Sequence, residues 1–243
     1  MEVFMFEKNV EESKEIFEVK ARNRFLSKVY LWMTAALAIS GGTAFVASNY
    51  EPLMGILFWH KGLGFMFLFL AELLLVYWLS ASIRRISART ATIAFLVYSL
   101  MNGVTLSSIF LIYRIDSIFL IFLISAALFA VMAVYGSFTS SNLTSVGRYF
   151  VMALTGIIIA SFANFLLKSP KLDWLLSVAC VLVFTGLTAY DAQKLMRASS
   201  VAESQDEDVF QKASIIGALE LYLDFINIFL ALLRLFGKGR GRR

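Results

Sequence analysis

The sequence predicts an all-α membrane protein, with seven transmembrane helices packed around a central seventh. Three observations carry this. Hydrophobic residues make up 59% of the 243-residue chain and charged residues only 16%, against about 25% charged in a soluble globule; the mean hydropathy is +0.76. Seven apolar segments follow a polar start, at roughly 25–48, 62–83, 90–112, 116–136, 147–168, 172–195 and 213–236, each of a length that crosses a bilayer at ~20 residues per span. The last segment carries a polar stripe that lipid would not tolerate.

Residues 1–24 are a short, mixed-charge arm, helical or disordered, without the apolar core of a cleavable signal. Residues 25–237 form one transmembrane domain whose short connections make sequence neighbours antiparallel. Residues 238–243 are a basic tail. No internal repeat stands out, which argues against an inverted-repeat transporter. Lys and Arg counts set the topology. Thirteen lie on the side of the amino terminus, counting the arm and the loops after segments two, four and six, whereas the opposite loops hold four. The amino terminus is therefore expected in the cytoplasm. Seven spans then send the five basic residues Arg234, Lys238, Arg240, Arg242 and Arg243 outside. Against this stands a re-entrant last segment with both termini inside; seven spans is the preferred reading.

The last segment organises the rest. Gly217, Glu220, Asp224, Asn227, Ala231 and Arg234 are spaced 3, 4, 3, 4 and 3 apart, so at 3.6 residues per turn they share one face. A charge facing lipid costs at least ~2.5 kcal/mol near the helix centre, so this face must meet protein or water. Arg234, three turns beyond Asp224, is expected to snorkel to the interface.

Asp191 lies near the end of segment six. The midpoint between it and Asp224 falls at about residue 207, inside the connection, so an antiparallel hairpin brings both carboxylates to similar depth. The alternative is an interfacial Asp191 and an Asp224 that pairs alone with an arginine. If the two meet, they cannot both ionise comfortably, and the pair would hold one proton near neutral pH. They would also form a weak, transient site for calcium, since two carboxylates are a thin shell for a cation taking 6–8 oxygens. Glu72 is a third intramembrane acid: either a second proton or cation station, or an acid satisfied by a neighbouring hydroxyl or by Asn102. Asn102 itself reads as helix packing or as pore lining.

Other chemistry is poorly supported. The single cysteine, Cys180, and single histidine, His60, leave no disulfide and no Cys- or His-based metal site. No Ser–His or Ser–Lys constellation is apparent, so the chain is not expected to be an enzyme. No basic, aromatic-interleaved face suggests nucleic acid.

The runs GALELYLDFINIFLALLRLFG, GLTAYDAQKL and YSLMNGVTLSSIF resemble the transmembrane Bax-inhibitor-motif family, in particular its bacterial inner-membrane branch, from about residue 25 to the end. The resemblance implies seven helices around the seventh and a pH-sensitive calcium leak, with Asp191 and Asp224 as the paired aspartates. It also implies a basic latch at the cytoplasmic end of the second helix, for which Arg84 and Arg85 are the candidates, although the position on the Glu72 face is Ile83. Some bacterial relatives are linked to a membrane-anchored AAA protease through the amino-terminal arm. The expected function is thus a pH-gated cation leak in a bacterial inner membrane, monomeric, with no tightly bound cofactor and with calcium and protons as its ligands. The rival is a non-conducting regulator that binds a membrane-anchored AAA protease or another stress or cell-death partner.

Overall fold

The computed structural model describes residues 2–203 and 206–240; Met1, residues 204–205 and the tail residues 241–243 lie outside them. The described residues form α1 (Glu2–Ser48), α2 (Glu51–Ser82), α3 (Ala88–Ile112), α4 (Ile115–Phe138), α5 (Thr144–Leu167), α6 (Pro170–Glu203) and α7 (Glu207–Phe236). Each holds a stretch long and apolar enough to span a membrane. The arm and the first span are one helix of 47 residues, ~70 Å long at 1.5 Å per residue, of which Val19–Ser48 is suited to the bilayer. In α2 the left-handed residues His60 (φ 43°) and Gly62 (φ 93°) interrupt the run, so its spanning part begins at Gly62.

The chain crosses seven times, and α7 is unbroken over 30 residues, which rules out a re-entrant last segment. The two ends of the bundle are tied by different contacts. At the end nearer the amino terminus, Glu207 pairs with Arg24 (3.0 Å) and Lys28 (3.6 Å). Asp208 Oδ1 there accepts the Ala88 amide at 2.9 Å, one of the donors that a helix start leaves free. Glu207 and Asp208, expected in the connection, instead sit in the first turn of α7, where its dipole favours negative charge. At the opposite end the tail is laid across the α3–α4 turn. The Arg114 amide donates to Lys238 O (3.0 Å) and the Arg240 amide to Ile112 O (2.8 Å).

Packing places α7 at the centre, against α6, α1, α4 and α3. In its spanning window 72% of residues are buried, against 11% in α2 and 6% in α5. The Leu, Ile and Phe residues beside the polar stripe are buried as well, among them Leu221, Phe225, Ile228 and Leu232. Phe225 meets Phe122 and Phe129 of α4 edge to face, with centroids 5.2 and 5.8 Å apart. The periphery wears its apolar side chains outward: Leu74 and Tyr77 on α2, Ile159 and Phe162 on α5.

Close helix approach depends on small residues. A Cβ on Gly136 of α4 would collide with the Ala189 carbonyl of α6, directly before the Asp191 turn. Gly136→Val is therefore expected to destabilise the protein by about 1–3 kcal/mol through overpacking, read as a lower midpoint in denaturant titration of the detergent-solubilised chain. A wild-type midpoint would show that α4 and α6 do not approach there.

Candidate functional site

The α6–α7 hairpin decides which side chains meet. The short turn between Glu203 and Glu207 sets α6 and α7 side by side and antiparallel. The Asp191 and Asp224 carboxyls meet across this hairpin, in hydrogen-bonding contact. Carboxylates only accept, so a bond between them requires that one keeps its proton. Asp224 is 4% exposed; Asp191 is half-buried. The Thr188 hydroxyl, one turn before Asp191, also touches the Asp224 carboxyl while lying 2.8 Å from Phe184 O. The second Asp224 oxygen, Oδ2, is buried with no hydrogen-bond partner. A buried unsatisfied polar atom is costly, and such atoms concentrate where function requires them.

One turn nearer the hairpin lies a second pair. Lys194 follows Asp191 by three residues and Glu220 precedes Asp224 by four, so antiparallel packing sets them face to face. Lys194 Nζ donates to Glu220 Oε1 at 2.6 Å, with the side chains 48% and 30% exposed. Both charges act on the Asp191 carboxyl. The resulting quartet runs from a wet ion pair inward to a dry carboxyl pair. The Lys194 side chain was counted in the sequence only as a topology charge; its three-residue step from Asp191 was the signal that could have found it.

Arg84 and Arg85 are exposed beyond the end of α2, and neither forms an ion pair among the described residues. Helix α2 packs on α3 and more lightly on α1, and the turn that follows it meets the start of α7, where Lys212 Nζ donates to Ile86 O at 3.2 Å. The cation beside Asp191 is Lys194.

The outer part of the α7 stripe does not join the pair. Asn227 Nδ2 donates to Leu223 O in its own helix (2.8 Å), and Arg234 is exposed near the end of α7. Glu72 belongs to a separate network on the other side of α7. It is 4% exposed and accepts from Thr105 Oγ1 and from Asn102 Nδ2 (3.4 Å). Asn102 Oδ1 accepts from the Tyr222 hydroxyl at 2.9 Å, and Tyr222 Oη lies 2.7 Å from Ser40 Oγ. Four helices thus meet through one chain of polar side chains. Glu72 is the satisfied acid among the two readings of the sequence, and Asn102 is its packing partner. Tyr222, Ser40 and Thr105 were not singled out in the sequence, because a single hydroxyl among apolar residues carries no pattern.

Among the described residues, no three His, Cys, Asp or Glu side chains converge as a metal-binding group.

The bundle and its buried carboxyl pair define a seven-helix, multi-pass membrane protein with an ionisable centre between its last two helices. The sequence profile described as inhibitor of apoptosis-promoting Bax1 matches residues 22–241, and the chain belongs to that family. It is 44% identical over 216 residues to inner membrane protein YbhL of Escherichia coli strain K12, covering 89% of this chain and 92% of the relative. It is 42% identical over 228 residues to an uncharacterized protein of Borreliella burgdorferi, covering 94% and 97%. It is 40% identical to the uncharacterized protein RP147 of Rickettsia prowazekii, covering 89% and 90%.

Tyr222→Phe tests the second network. It keeps the ring against Phe95 and Tyr98 but leaves Asn102 Oδ1 buried without its donor. A loss of about 1–3 kcal/mol is expected, measured as reduced thermal stability in detergent. Unchanged stability would show that the hydroxyl is dispensable.

Proposed function

We propose that this chain is a pH-sensitive cation leak, with calcium as the permeant ion and the Asp191–Asp224 pair as proton sensor and gate. The observation that supports it is the contact of two carboxyls beside the central helix, one of them with an unpartnered oxygen. With a proton shared, the pair is neutralised to a single negative charge and Lys194 stays on Glu220. Removing that proton sets two like charges in contact inside the bundle, where low dielectric magnifies their repulsion. Asp191, half-buried and on the wetter helix face, then turns toward Lys194, and the ion pair formed there closes the hairpin mouth. Acid reverses the sequence and opens the route. A calcium ion passing the site would meet two carboxylates and otherwise water, an arrangement weak enough to release it. The ion is a transient ligand, and the reading includes no tightly bound cofactor and no enzymatic step.

The location proposed is a bacterial inner membrane with the amino terminus in the cytoplasm. The printed name of the Escherichia coli relative and the excess of basic residues at the amino-terminal end support this. A second reading, a non-conducting regulator of a membrane-anchored AAA protease or another stress partner, has one feature in its favour. Helix α1 begins at Glu2, well before its spanning part at Val19, and so offers a helical handle outside the bilayer. Deleting residues 2–18 would abolish a partner's response while sparing flux.

The test of the first reading is calcium flux into proteoliposomes across a pH series. Wild type should leak more as pH falls. Asp191→Asn, which cannot be charged, should leak at every pH, and Lys194→Gln should carry the leak to higher pH. Arg84→Gln and Arg85→Gln should leave the profile unchanged. Equal flux from wild type, Asp191→Asn and Asp224→Asn at all pH values would rule out the pair as the gate.

A further inference from the structure

A cleft of about 200 Å³ lies between α1 and α4, which flank it without extended contact with one another. Its walls are Leu37, Gly41 and Ala44 of α1 and Ile118, Phe119 and Phe122 of α4, and its floor is Phe225 and Phe229 of α7. The one polar side chain in the lining is Ser40, whose hydroxyl is already engaged with Tyr222 and lies against the Ala36 and Ser99 carbonyls. Water would find no partners here, and apolar cavities of this size stay dry and take up hydrocarbon. The cleft opens sideways: Gly41 and Phe119 are exposed, at a depth where the surrounding medium is acyl chain.

The cleft also has a polar head. Phe110 and Ile115 line both it and an adjoining basin at the end of the bundle opposite the amino terminus. That basin is bounded further by Ser48, Asn49, Arg114, Asp116 and Arg240. Arg114 holds Asp116 through Nε and Nη2, at 3.1 and 3.0 Å, which leaves its third nitrogen uncommitted. Arg240 is fixed by its own amide on Ile112 O and by Nη1 on Phe110 O (2.9 Å), and it lines the basin. Two guanidiniums against one carboxylate make this rim net positive. An apolar slot ending at interfacial arginines matches one ligand chemistry, a lipid with an anionic headgroup.

We propose that this cleft and basin form a lipid site. One acyl chain of an anionic glycerophospholipid lies between α1 and α4 on the floor of α7, and its phosphate sits at Arg114 and Arg240. Phe225 follows Asp224 directly in the chain, so the seated tail touches the helix that carries the carboxyl pair. The site stands apart from the leak reading and does not depend on it.

The full-length chain in nanodiscs of phosphatidylcholine and phosphatidylglycerol would be photolabelled with a trace of either lipid carrying a diazirine in its acyl chain, and the labelled peptides mapped. Label should concentrate on residues 37–44 and 118–122 over the lipid-facing side of α5, and phosphatidylglycerol should be favoured. Arg114→Gln and Arg240→Gln should each cut that preference about fivefold while phosphatidylcholine labelling persists. Gly41→Trp, whose Cβ meets nothing within 4 Å, should plug the slot and remove the concentrated label. Excess glycerol phosphate should not compete. Uniform labelling of all lipid-facing helices, equal labelling by the two headgroups, or displacement by free glycerol phosphate would each overturn the proposal. The arginine variants lie at the rim, so they decide the question even if Gly41→Trp does not fold.

Discussion

Hydrocarbon cannot hydrogen-bond, and this constraint arranges the whole molecule. A side chain that keeps a polar atom within the bilayer must find its partner on another helix or stay at the rim. Of the seven helices, α7 carries Glu220, Tyr222, Asp224 and Asn227 in a single stretch, and its residues 217–229 are buried or half-buried without exception. The central position of α7 therefore follows from what it carries.

Two polar sites sit on α7, separated by two residues. Tyr222 and Asp224 stand ~200° apart around the helix axis at 3.6 residues per turn, so one points toward α1 and α3 and the other toward α6. The first site is closed on itself. Glu72 receives donors from Thr105 and Asn102, and Asn102 receives one from Tyr222. The second is not, because Asp224 Oδ2 is left without a donor. This difference divides their roles. A satisfied network resists change, since any movement strands one of its atoms. An unsatisfied acid loses little when its neighbour turns away.

Periodicity made the architecture legible. The seven apolar runs and the stripe from Gly217 to Arg234 are linear facts, and helices convert linear spacing into shared faces. The midpoint arithmetic put the hairpin turn at about residue 207, whereas it falls between Glu203 and Glu207, because both helices run further than hydropathy alone suggests. Arg197 continues α6 past the apolar run with partners of its own, Thr144 Oγ1 and Asn142 Oδ1. What spacing cannot convey is which distant helices touch. The surroundings of Arg84 and Arg85 could not be read for that reason, because nothing in the α2 sequence says that it packs on α3 instead of α6. The Tyr222–Asn102–Glu72 chain was hidden for the same reason, since its members are 120 and 30 residues apart.

The position of Lys194 then carries a consequence for how an acid pair can gate without an arginine from another helix. A latch on α2 would have to swing between helices to let go. A latch on α6 needs only a rotamer change, because Lys194 lies one turn from Asp191 on the same helix and already reaches across to Glu220. In the proposed leak, Glu220 and Asp191 are thus rival anions for one ammonium, which Glu220 would hold while Asp191 is neutral or engaged with Asp224. On that proposal, two carboxylates exchanging a proton and two exchanging a lysine would form one coupled set, within a single hairpin. The moving parts are side chains, and the backbone of α7, clamped on its other side by Tyr222, can stay where it is.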